Sequence, residues 1–360
     1  MKGQLYTVIT SSGSYLPPVV VTNEHFLESR FFDPASRAPF EKDNGEIIEK
    51  FREITNINER RYCAPDETAS SIGFEAARNA LTDSGIDPES LDFIIAGHNF
   101  GEATHENPRI STIPYLAARI KQKLGIRNPS TFAHDVIAGC PGWVQALIVA
   151  DLYLKSGLYR RGLVVSADVT SRAADPYDRD AMIFSDGAGA VVVESVQSEE
   201  PVGILSHAAQ TDAMELDYLV MDRSLNPDSG NDDLYIRMQG HKVYVYALTN
   251  VPRVVKRSLQ LAGLTLTDVK KVLIHQANEK MDQAILERIF KLYKIREIPE
   301  NIMPMTISFL GNSSSATIPT LYDLIARGKL ENHSFSKDDV ILLTSVGAGM
   351  MINSVVYRIP

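Results

Sequence analysis

Short runs rich in Val and Ile alternate along the chain with longer amphipathic or wholly apolar stretches, and Gly or Pro marks the joins. Continuously apolar runs of this length, bounded by turn residues, read as buried strands, and the longer periodic stretches between them read as helices. The pattern predicts strands at Asp92–Gly97, Thr131–Ile137, Gly162–Ser166 and Ala188–Glu194, with helices at Ile113–Leu124 and Trp143–Lys155 between them. Apolar strands alternating with helices point to sheets covered on both faces, so the fold class is α/β.

The second half of the chain repeats the first. Leu81–Gly97 contains a helix end, Gly85-Ile86, then Leu91 and the strand Phe93-Ile94-Ile95; Leu259–His275 has Gly263-Leu264, then Val269 and the strand Val272-Leu273-Ile274. The helix ending in Lys155-Ser156-Gly157 has a counterpart ending in Ala326-Arg327-Gly328, and Asp186-Gly187-Ala188-Gly189 is matched by Val346-Gly347-Ala348-Gly349. The order is conserved throughout. It predicts duplication of one βαβ-rich unit, with residues 1–200 as one half, 201–360 as the other, and a pseudo-twofold axis between them.

Three polar excursions break the symmetry: Phe31–Gly45, Phe100–Arg109 and Arg223–Asp233 read as loops. The 360 residues carry 36 Lys+Arg against 45 Asp+Glu, a formal charge of −9. An acidic surface disfavours nonspecific nucleic-acid binding, which depends on cations that neutralise phosphates. No apolar stretch is long enough to span a bilayer, the first residues lack the apolar run of a signal peptide, and two cysteines make no disulfide framework. The expected location is therefore cytoplasmic, without membrane insertion.

Cys140 is the centre of the chemistry. It follows the strand ending at Ile137, passes Ala138-Gly139, and precedes Pro141 and an almost wholly apolar helix. Proline is well placed at a helix start because its missing N–H would have had no partner there. A thiol at that position is expected to be acidified by free amide N–H groups and the helix dipole. From the local pattern alone, a nucleophile and a small core hydrophobe fit equally well.

The duplication tips the balance. The equivalent position in the second half falls near Gly311-Asn312-Ser313, between an expected strand at Thr306–Leu310 and a helix ending near Gly328. His275 stands at the C-terminal end of the strand Val272-Leu273-Ile274, where α/β sheets gather their functional groups. Singly it reads as a structural histidine; together with Cys140 and Asn312 it reads as an acid/base or hydrogen-bond donor. The remaining histidines show no HxxxH or HExxH spacing, and Gly187-Ala188-Gly189 is too short for a dinucleotide fingerprint, so it reads as a close backbone approach. Cys63 receives no role.

Four motifs in order, Asp135-Val136-Ile137-Ala138-Gly139-Cys140-Pro141-Gly142, Ile274-His275-Gln276-Ala277-Asn278, Gly311-Asn312-Ser313-Ser314 and Val346-Gly347-Ala348-Gly349, resemble the ketoacyl-[acyl-carrier-protein] synthase III branch of the thiolase-like condensing enzymes. Thr55–Arg61, Asp175–Arg179 and Phe184–Gly189 add to the likeness, which covers nearly the whole chain outside the insertions. The resemblance implies a five-layered α/β/α/β/α sandwich of two duplicated halves and a homodimer. It implies that Cys140 takes an acyl group from an acyl-CoA or acyl-carrier-protein thioester. His275 and Asn312 would then bind the thioester carbonyl of malonyl-acyl-carrier-protein while CO2 leaves, giving a 3-oxoacyl thioester for fatty acid or related biosynthesis. The backbone N–H groups of Cys140 and Ala348 would form the oxyanion hole. No separate cofactor is implied, because phosphopantetheine belongs to the substrates.

Some positions depart from the family pattern. Ala-Cys-Ala-Gly around the nucleophile is Gly139-Cys140-Pro141-Gly142 here, and the Trp and Arg that clamp the CoA adenine align near Lys50 and Ile54. The second change favours an acyl-carrier-protein donor. The Arg used for carrier-protein docking is Lys280, which keeps the charge and loses the bidentate fork. A Phe that closes the acyl pocket across the dimer aligns with Ile113, a smaller side chain that implies a longer acyl tunnel. Two alternatives remain. One is a specialised enzyme joining two acyl chains, as in alkylresorcinol, quinolone or olefin pathways, with Glu102 or Glu106 as the base. The other is a noncatalytic partner that keeps the fold.

Overall fold

The computed structural model describes residues 3–360. In chain order the first half gives β1 (Gln4–Tyr15), β2 (Val19–Thr22), α1 (Asn44–Thr55), β3 (Glu59–Tyr62), α2 (Ala69–Ser84), β4 (Phe93–His98), α3 (Leu116–Lys123), β5 (Phe132–Ile137), α4 (Gly142–Lys155), β6 (Arg161–Val169) and β7 (Asp186–Ser198). The second half gives β8 (Gly203–Thr211), β9 (Leu219–Arg223), β10 (Leu234–Met238), α5 (Gly240–Leu261), β11 (Val269–Ile274), α6 (Glu279–Leu292), α7 (Ile307–Leu310), α8 (Thr317–Ala326), β12 (Val340–Gly347) and β13 (Met351–Arg358). β2 and β3, like β9 and β10, form separate two-stranded ribbons.

The main sheets carry the duplication. One runs β1-β7-β6-β4-β5 and the other β8-β13-β12-β11, the same order with the fifth strand missing. In both, the two edge-most pairings involving the long C-terminal strand are antiparallel, and the βαβ crossover strands pair in parallel. The expected strand at Thr306–Leu310 is instead a helical turn, α7, with Leu310 N–H donating to Thr306 O and Gly311 N–H to Ile307 O. The cause is distant in sequence: the Gln276 side chain accepts from Thr306 N–H and donates to Pro304 O, holding this segment off the sheet edge.

Three hydrophobic clusters define five layers. α2 and α3 cover the outer face of the first sheet through Ile72, Ala76, Leu116 and Ile120. α5 and α6 cover the outer face of the second through Val251, Val255, Ile285 and Ile289. Between the sheets lie α4 and α8, packed by Trp143, Leu147, Ile318 and Leu321 against Ile95 and Val164 on one side and Leu343 and Val355 on the other. An almost wholly apolar helix has no face to give to water, so the central layer is where α4 and α8 belong. Gly189 shows how tightly they sit: a Cβ there would stand 2.7 Å from Pro319 Cβ on α8, the close backbone approach expected of this motif.

Local signals set the boundaries. α2 starts at a capping box between Thr68 and Ser71 and stops at Gly85, which adopts φ +64. α3 begins at Leu116 rather than Ile113 because Pro114 lies ahead of it, and Asp135 accepts from the Leu116 and Ala117 N–H groups that open its first turn. No helix among the described residues is long and apolar enough to cross a membrane.

Candidate active site

Cys140 lies in the turn between β5 and α4, with Pro141 immediately before the helix. The end of β12 presses against this turn. A Cβ on Gly347 would stand 2.6 Å from Pro141 Cδ and 2.8 Å from Cys140 N, so only glycine lets the two backbones meet here. Ala348 is thereby laid alongside Gly139 and Cys140, each from a different half of the chain.

The turn into α8 faces it. Asn312 is anchored by its backbone, its N–H donating to Ile183 O at 3.0 Å and its carbonyl accepting from Ser185 N–H at 2.8 Å. Its Oδ1 accepts the Ser314 N–H at 2.8 Å, which orients the carboxamide and leaves Nδ2 free to donate. The loop that holds Asn312 is itself fixed by the buried Arg60, which donates to Met182 O, Val21 O and Asn23 Oδ1. A buried guanidinium needs such partners to offset its desolvation.

Ser314 ties the centre together. Its backbone is left-handed at φ 55, and its hydroxyl donates to Cys140 Sγ at 3.7 Å while accepting from Asn99 Nδ2 at 3.3 Å. Two expected site residues from separate parts of the sequence, Cys140 and Asn312, thus hydrogen-bond one serine. Nothing in the sequence singled out Asn99, and Ser314 stood out only as the last residue of the Gly311–Ser314 motif. The signal that was available is the pseudo-symmetry itself, since the residues after Asn312 occupy the place opposite Cys140.

Electrostatics depart from expectation at the thiol. Burial pushes Cys140 up to about 12, with Asp168 adding to the rise, while the Ser314 hydroxyl and the Cys140 N–H oppose it. The N–H at the helix terminus lowers the thiol, but no cation accompanies it and the pocket withholds water from the anion, so burial outweighs it. His275 is pulled down to about 4 by burial, against the Ser314 hydrogen bond, so its ring is neutral at pH 7. Its Nδ1 is buried without a partner, and its backbone N–H donates to Thr344 O. A neutral imidazole can donate one hydrogen bond without bringing positive charge to the pocket.

A cleft of about 780 Å³ lies beside this centre, lined by sequence neighbours of His275 rather than by His275, Cys140 or Asn312 themselves. Its inner wall includes Ile183, whose carbonyl holds Asn312, and Ala277 and Asn278, which follow the His275-Gln276 pair. Phe51, Ile54, Met182 and Met281 give it apolar walls, and Lys50 stands among the charged residues that line it. Behind the site, Ile57, Ala174, Phe184, Ile236 and Ile307 form a separate apolar cluster.

Other expected positions lie away from the centre. Lys280, in the first turn of α6, lines a shallow surface cavity with Glu53 and Asn56 of the α1 region. Ile113 is 86% exposed on the loop before α3 and does not reach Cys140 of its own chain. Glu102 is not poised as a base: its carboxylate accepts from Ser70 N–H at 2.8 Å and Ser70 Oγ at 2.7 Å, capping α2. Glu106 lies in the exposed loop. Cys63 is raised by burial and donates its backbone N–H to Asp186.

Residues 134–213 match the family described as 3-oxoacyl-[acyl-carrier-protein (ACP)] synthase III, and residues 259–359 match its C-terminal counterpart. A beta-ketoacyl-[acyl-carrier-protein] synthase III of Methylococcus capsulatus is 35% identical over 356 residues, spanning 98% of this chain and 99% of the other. The crystal structure of 3-oxoacyl-[acyl-carrier-protein] synthase III from Aquifex aeolicus superimposes with a TM-score of 0.77 at 29% identity, covering 98% of this chain and 99% of that one. The priming beta-ketosynthase from the R1128 polyketide biosynthetic pathway superimposes with a TM-score of 0.81 at 26% identity, covering 100% and 98%. With the thiolase-like sandwich and these matches together, the chain belongs to the 3-oxoacyl-[acyl-carrier-protein] synthase III family.

Proposed function

We propose that this condensing acyltransferase uses Cys140 as its nucleophile, His275 and Asn312 as paired donors, and the N–H groups of Cys140 and Ala348 as an oxyanion hole. The observation that carries the assignment is Ser314, whose hydroxyl hydrogen-bonds Cys140 Sγ and whose backbone N–H hydrogen-bonds Asn312 Oδ1. In the first stage the Cys140 sulfur attacks an acyl thioester; the thioester C–S bond breaks, and the departing thiolate takes the proton that Cys140 gives up. Each backbone donor aimed at the oxyanion is worth about 2.7–4 kcal/mol of transition-state stabilisation.

In the second stage a malonyl thioester occupies the same cleft. Its carboxylate leaves as CO2, and the electron pair of the broken C–C bond becomes an enolate whose oxygen accepts from His275 and Asn312 Nδ2. That carbon attacks the acyl-enzyme and the Cys140 C–S bond breaks. The released sulfur takes a proton from solvent, and the product is a 3-oxoacyl thioester. A neutral His275 suits this role, because the step needs a donor and loss of CO2 supplies the nucleophile without a base. With the thiol raised, acylation draws on the oxyanion donors more than on a standing thiolate.

The donor and acceptor substrates are thioesters on coenzyme A or acyl carrier protein. Lys280 beside the cleft is a docking point for the acidic carrier, and Lys50 and Ile54 in place of an adenine clamp favour a carrier-bound donor. A homodimer fits the edge strand β5, which has only β4 as a neighbour, and the exposed Ile137 and Ile113 near it. In such a dimer Ile113 would reach the partner's acyl pocket. Residues 1–200 and 201–360 are treated as the two duplicated halves, in keeping with the matching strand orders. Joining two acyl chains with Glu102 as base loses its support, since that carboxylate caps α2.

The test is to incubate the protein with a panel of acyl-CoA and acyl-carrier-protein donors, then malonyl-acyl-carrier-protein, and follow Cys140 by mass. A covalent acyl adduct on Cys140 that is discharged into a 3-oxoacyl thioester is expected; condensation by Cys140→Ala would refute the assignment.

A further inference from the structure

Asn99 stands one hydrogen bond behind Ser314, and the mechanism above gives it no work. It follows directly on β4, half-buried, with its side-chain Nδ2 3.3 Å from Ser314 Oγ. Its backbone is fixed by the buried Asp168 near the end of β6. One oxygen of that carboxylate accepts from Asn99 N–H at 2.9 Å; the other accepts from Ser315 Oγ at 2.5 Å and Ser315 N–H at 3.2 Å. Asp168 thereby ties the end of β4 to the turn that enters α8, and sets Asn99 beside Ser314. The arrangement has a cost at the thiol. Asp168 is the charged group that acts on Cys140, and it adds to the rise from burial, while the Ser314 hydroxyl lowers the thiol.

A serine hydroxyl has one proton and two lone pairs, and it rotates to suit its neighbours. Sulfur is a weak acceptor, so a hydroxyl with a choice would turn elsewhere. An amide NH2 offers donors only: Asn99 Nδ2 occupies a lone pair of Ser314 Oγ and cannot receive its proton. That proton is left to point at Cys140 Sγ, 3.7 Å away. Hydrogen bonds in a chain polarise one another, so a donor on the oxygen makes its O–H the better donor in turn. The charge this O–H faces develops twice, on the sulfur before it attacks the acyl thioester and on the sulfur released when the Cys140 C–S bond breaks.

We propose that Asn99 is a positioning residue for the nucleophile: its Nδ2 donates to Ser314 Oγ and so directs the Ser314 hydroxyl onto Cys140 Sγ. The inference rests on the reading of Cys140 as the nucleophile and deepens it. Two substitutions of nearly equal size separate direction from volume. Asn99→Leu fills the same space and removes the donor, so the hydroxyl is free to rotate. Asn99→Asp keeps the shape and turns the donor into an acceptor, so the Ser314 proton swings to the carboxylate and away from the sulfur, and the new charge adds to that of Asp168.

The experiment uses the full chain and reads Cys140 in two ways: alkylation by iodoacetamide across pH 7–10, and acylation by the thioester that labels wild type best, both followed by mass on the Cys140 peptide. Wild type, Asn99→Leu, Asn99→Asp, Ser314→Ala and the double variant Ser314→Ala/Asn99→Leu are compared. Iodoacetamide reacts with the thiolate, so a thiol raised further slows alkylation by the same factor at each pH. Slowing of about 3-fold in Asn99→Leu and about 10-fold in Asn99→Asp is expected, in alkylation and in the limiting rate of acylation alike, with half-saturation within about twofold of wild type. The double variant matches Ser314→Ala, because no hydroxyl is left to direct. Asn99→Asp carries the test if Asn99→Leu does not fold. Asn99→Asp that alkylates like wild type overturns the proposal, since an acceptor would then serve as well as a donor. Faster alkylation in Asn99→Leu, the mark of a loosened pocket, overturns it, as does a double variant slower than Ser314→Ala or a raised half-saturation with unchanged alkylation. Alkylation needs no acyl donor, so the two readings fail separately. Wild type that takes no acyl group from any thioester overturns the condensing reading; acylated wild type with unaltered Asn99 variants overturns this inference alone.

Discussion

The turn that enters α4 and the turn that enters α8 occupy equivalent places in the two halves, and they are built in opposite ways. The first is fed by β5, a regular strand paired with β4, and is shaped by close backbone approach, Gly139 and Gly347 letting Ala348 and Pro141 meet around Cys140. The second has no strand before it. α7 replaces the strand, and the chain is held by side chains: Asn312 Oδ1 on Ser314 N–H, Ser313 on Thr317, and Ser315 on Asp168 and Ser166. A nucleophile must be free to form and break a bond, so its turn is defined by backbone. A pair of donors must keep its direction while charge builds on the substrate, so its turn is defined by hydrogen bonds. Duplication supplied two helix N-termini facing one pocket, and divergence gave them different work.

The largest effect is expected at the first turn. Cys140→Ala removes the nucleophilic thiol, so neither an acyl adduct nor a 3-oxoacyl product forms above background in the mass assay. The second turn separates from it in kind. His275→Ala and Asn312→Ala each retain labelling of Cys140 and lower product formation by about 10²–10³, the loss typical of one transition-state donor. Retained labelling with lost condensation is the signature of the division between the turns; loss of labelling in both variants would erase it.

A third measurement concerns stability. His275 is held near 4 in the folded protein against about 6.5 unfolded, so between those values the unfolded chain binds more protons. Stability therefore falls as pH drops from about 6.5 to 4, by on the order of 3 kcal/mol from this residue. Buried acids with raised values, Asp186 among them, work in the opposite direction, since their contribution is lost as pH rises. The comparison that isolates His275 is the denaturation midpoint of wild type against His275→Asn at pH 4.5 and 7, where the variant should show the smaller decline. An equal decline would show that the ring is not kept neutral.

The smallest effect falls on the link between the turns. Ser314→Ala removes the hydroxyl that donates to Cys140 Sγ, and acylation should slow by roughly 5- to 10-fold with the fold intact, in keeping with about 1–1.5 kcal/mol for one hydrogen bond. Iodoacetamide alkylation of Cys140 across pH 7–10 reads the same change, since loss of that donor raises the thiol further. An unaltered profile would mean that the two turns act independently.

Much of the architecture could be read from local pattern. The Leu81–Gly97 and Leu259–His275 repeats correspond to α2 running into β4 and α5 running into β11, and the apolar helix after Cys140 is the central α4. These readings succeed because burial on both faces writes a continuous apolar run into the sequence. The run Thr306–Leu310 misleads for a related reason. Its β-branched and aromatic residues suit a strand, but Gln276, thirty residues earlier, takes up the hydrogen bonds that a fifth strand would have needed. Long-range competition of this kind leaves no mark on local composition. Glu102 is similar, an acid in a polar loop whose role was decided by Ser70 at the start of α2.

Sequence alone determined that the chain is a duplicated α/β protein with a cysteine, a histidine and an asparagine at the ends of its internal elements, because periodicity, glycine positions and motif spacing are properties of neighbours along the chain. Tertiary structure alone decided that Ser314 joins Cys140 to Asn312 and that the thiol is raised rather than lowered. Those outcomes depend on which groups from distant segments are brought within hydrogen-bond reach and how much water is removed around them, and electrostatic energies change most with separation and solvent exclusion.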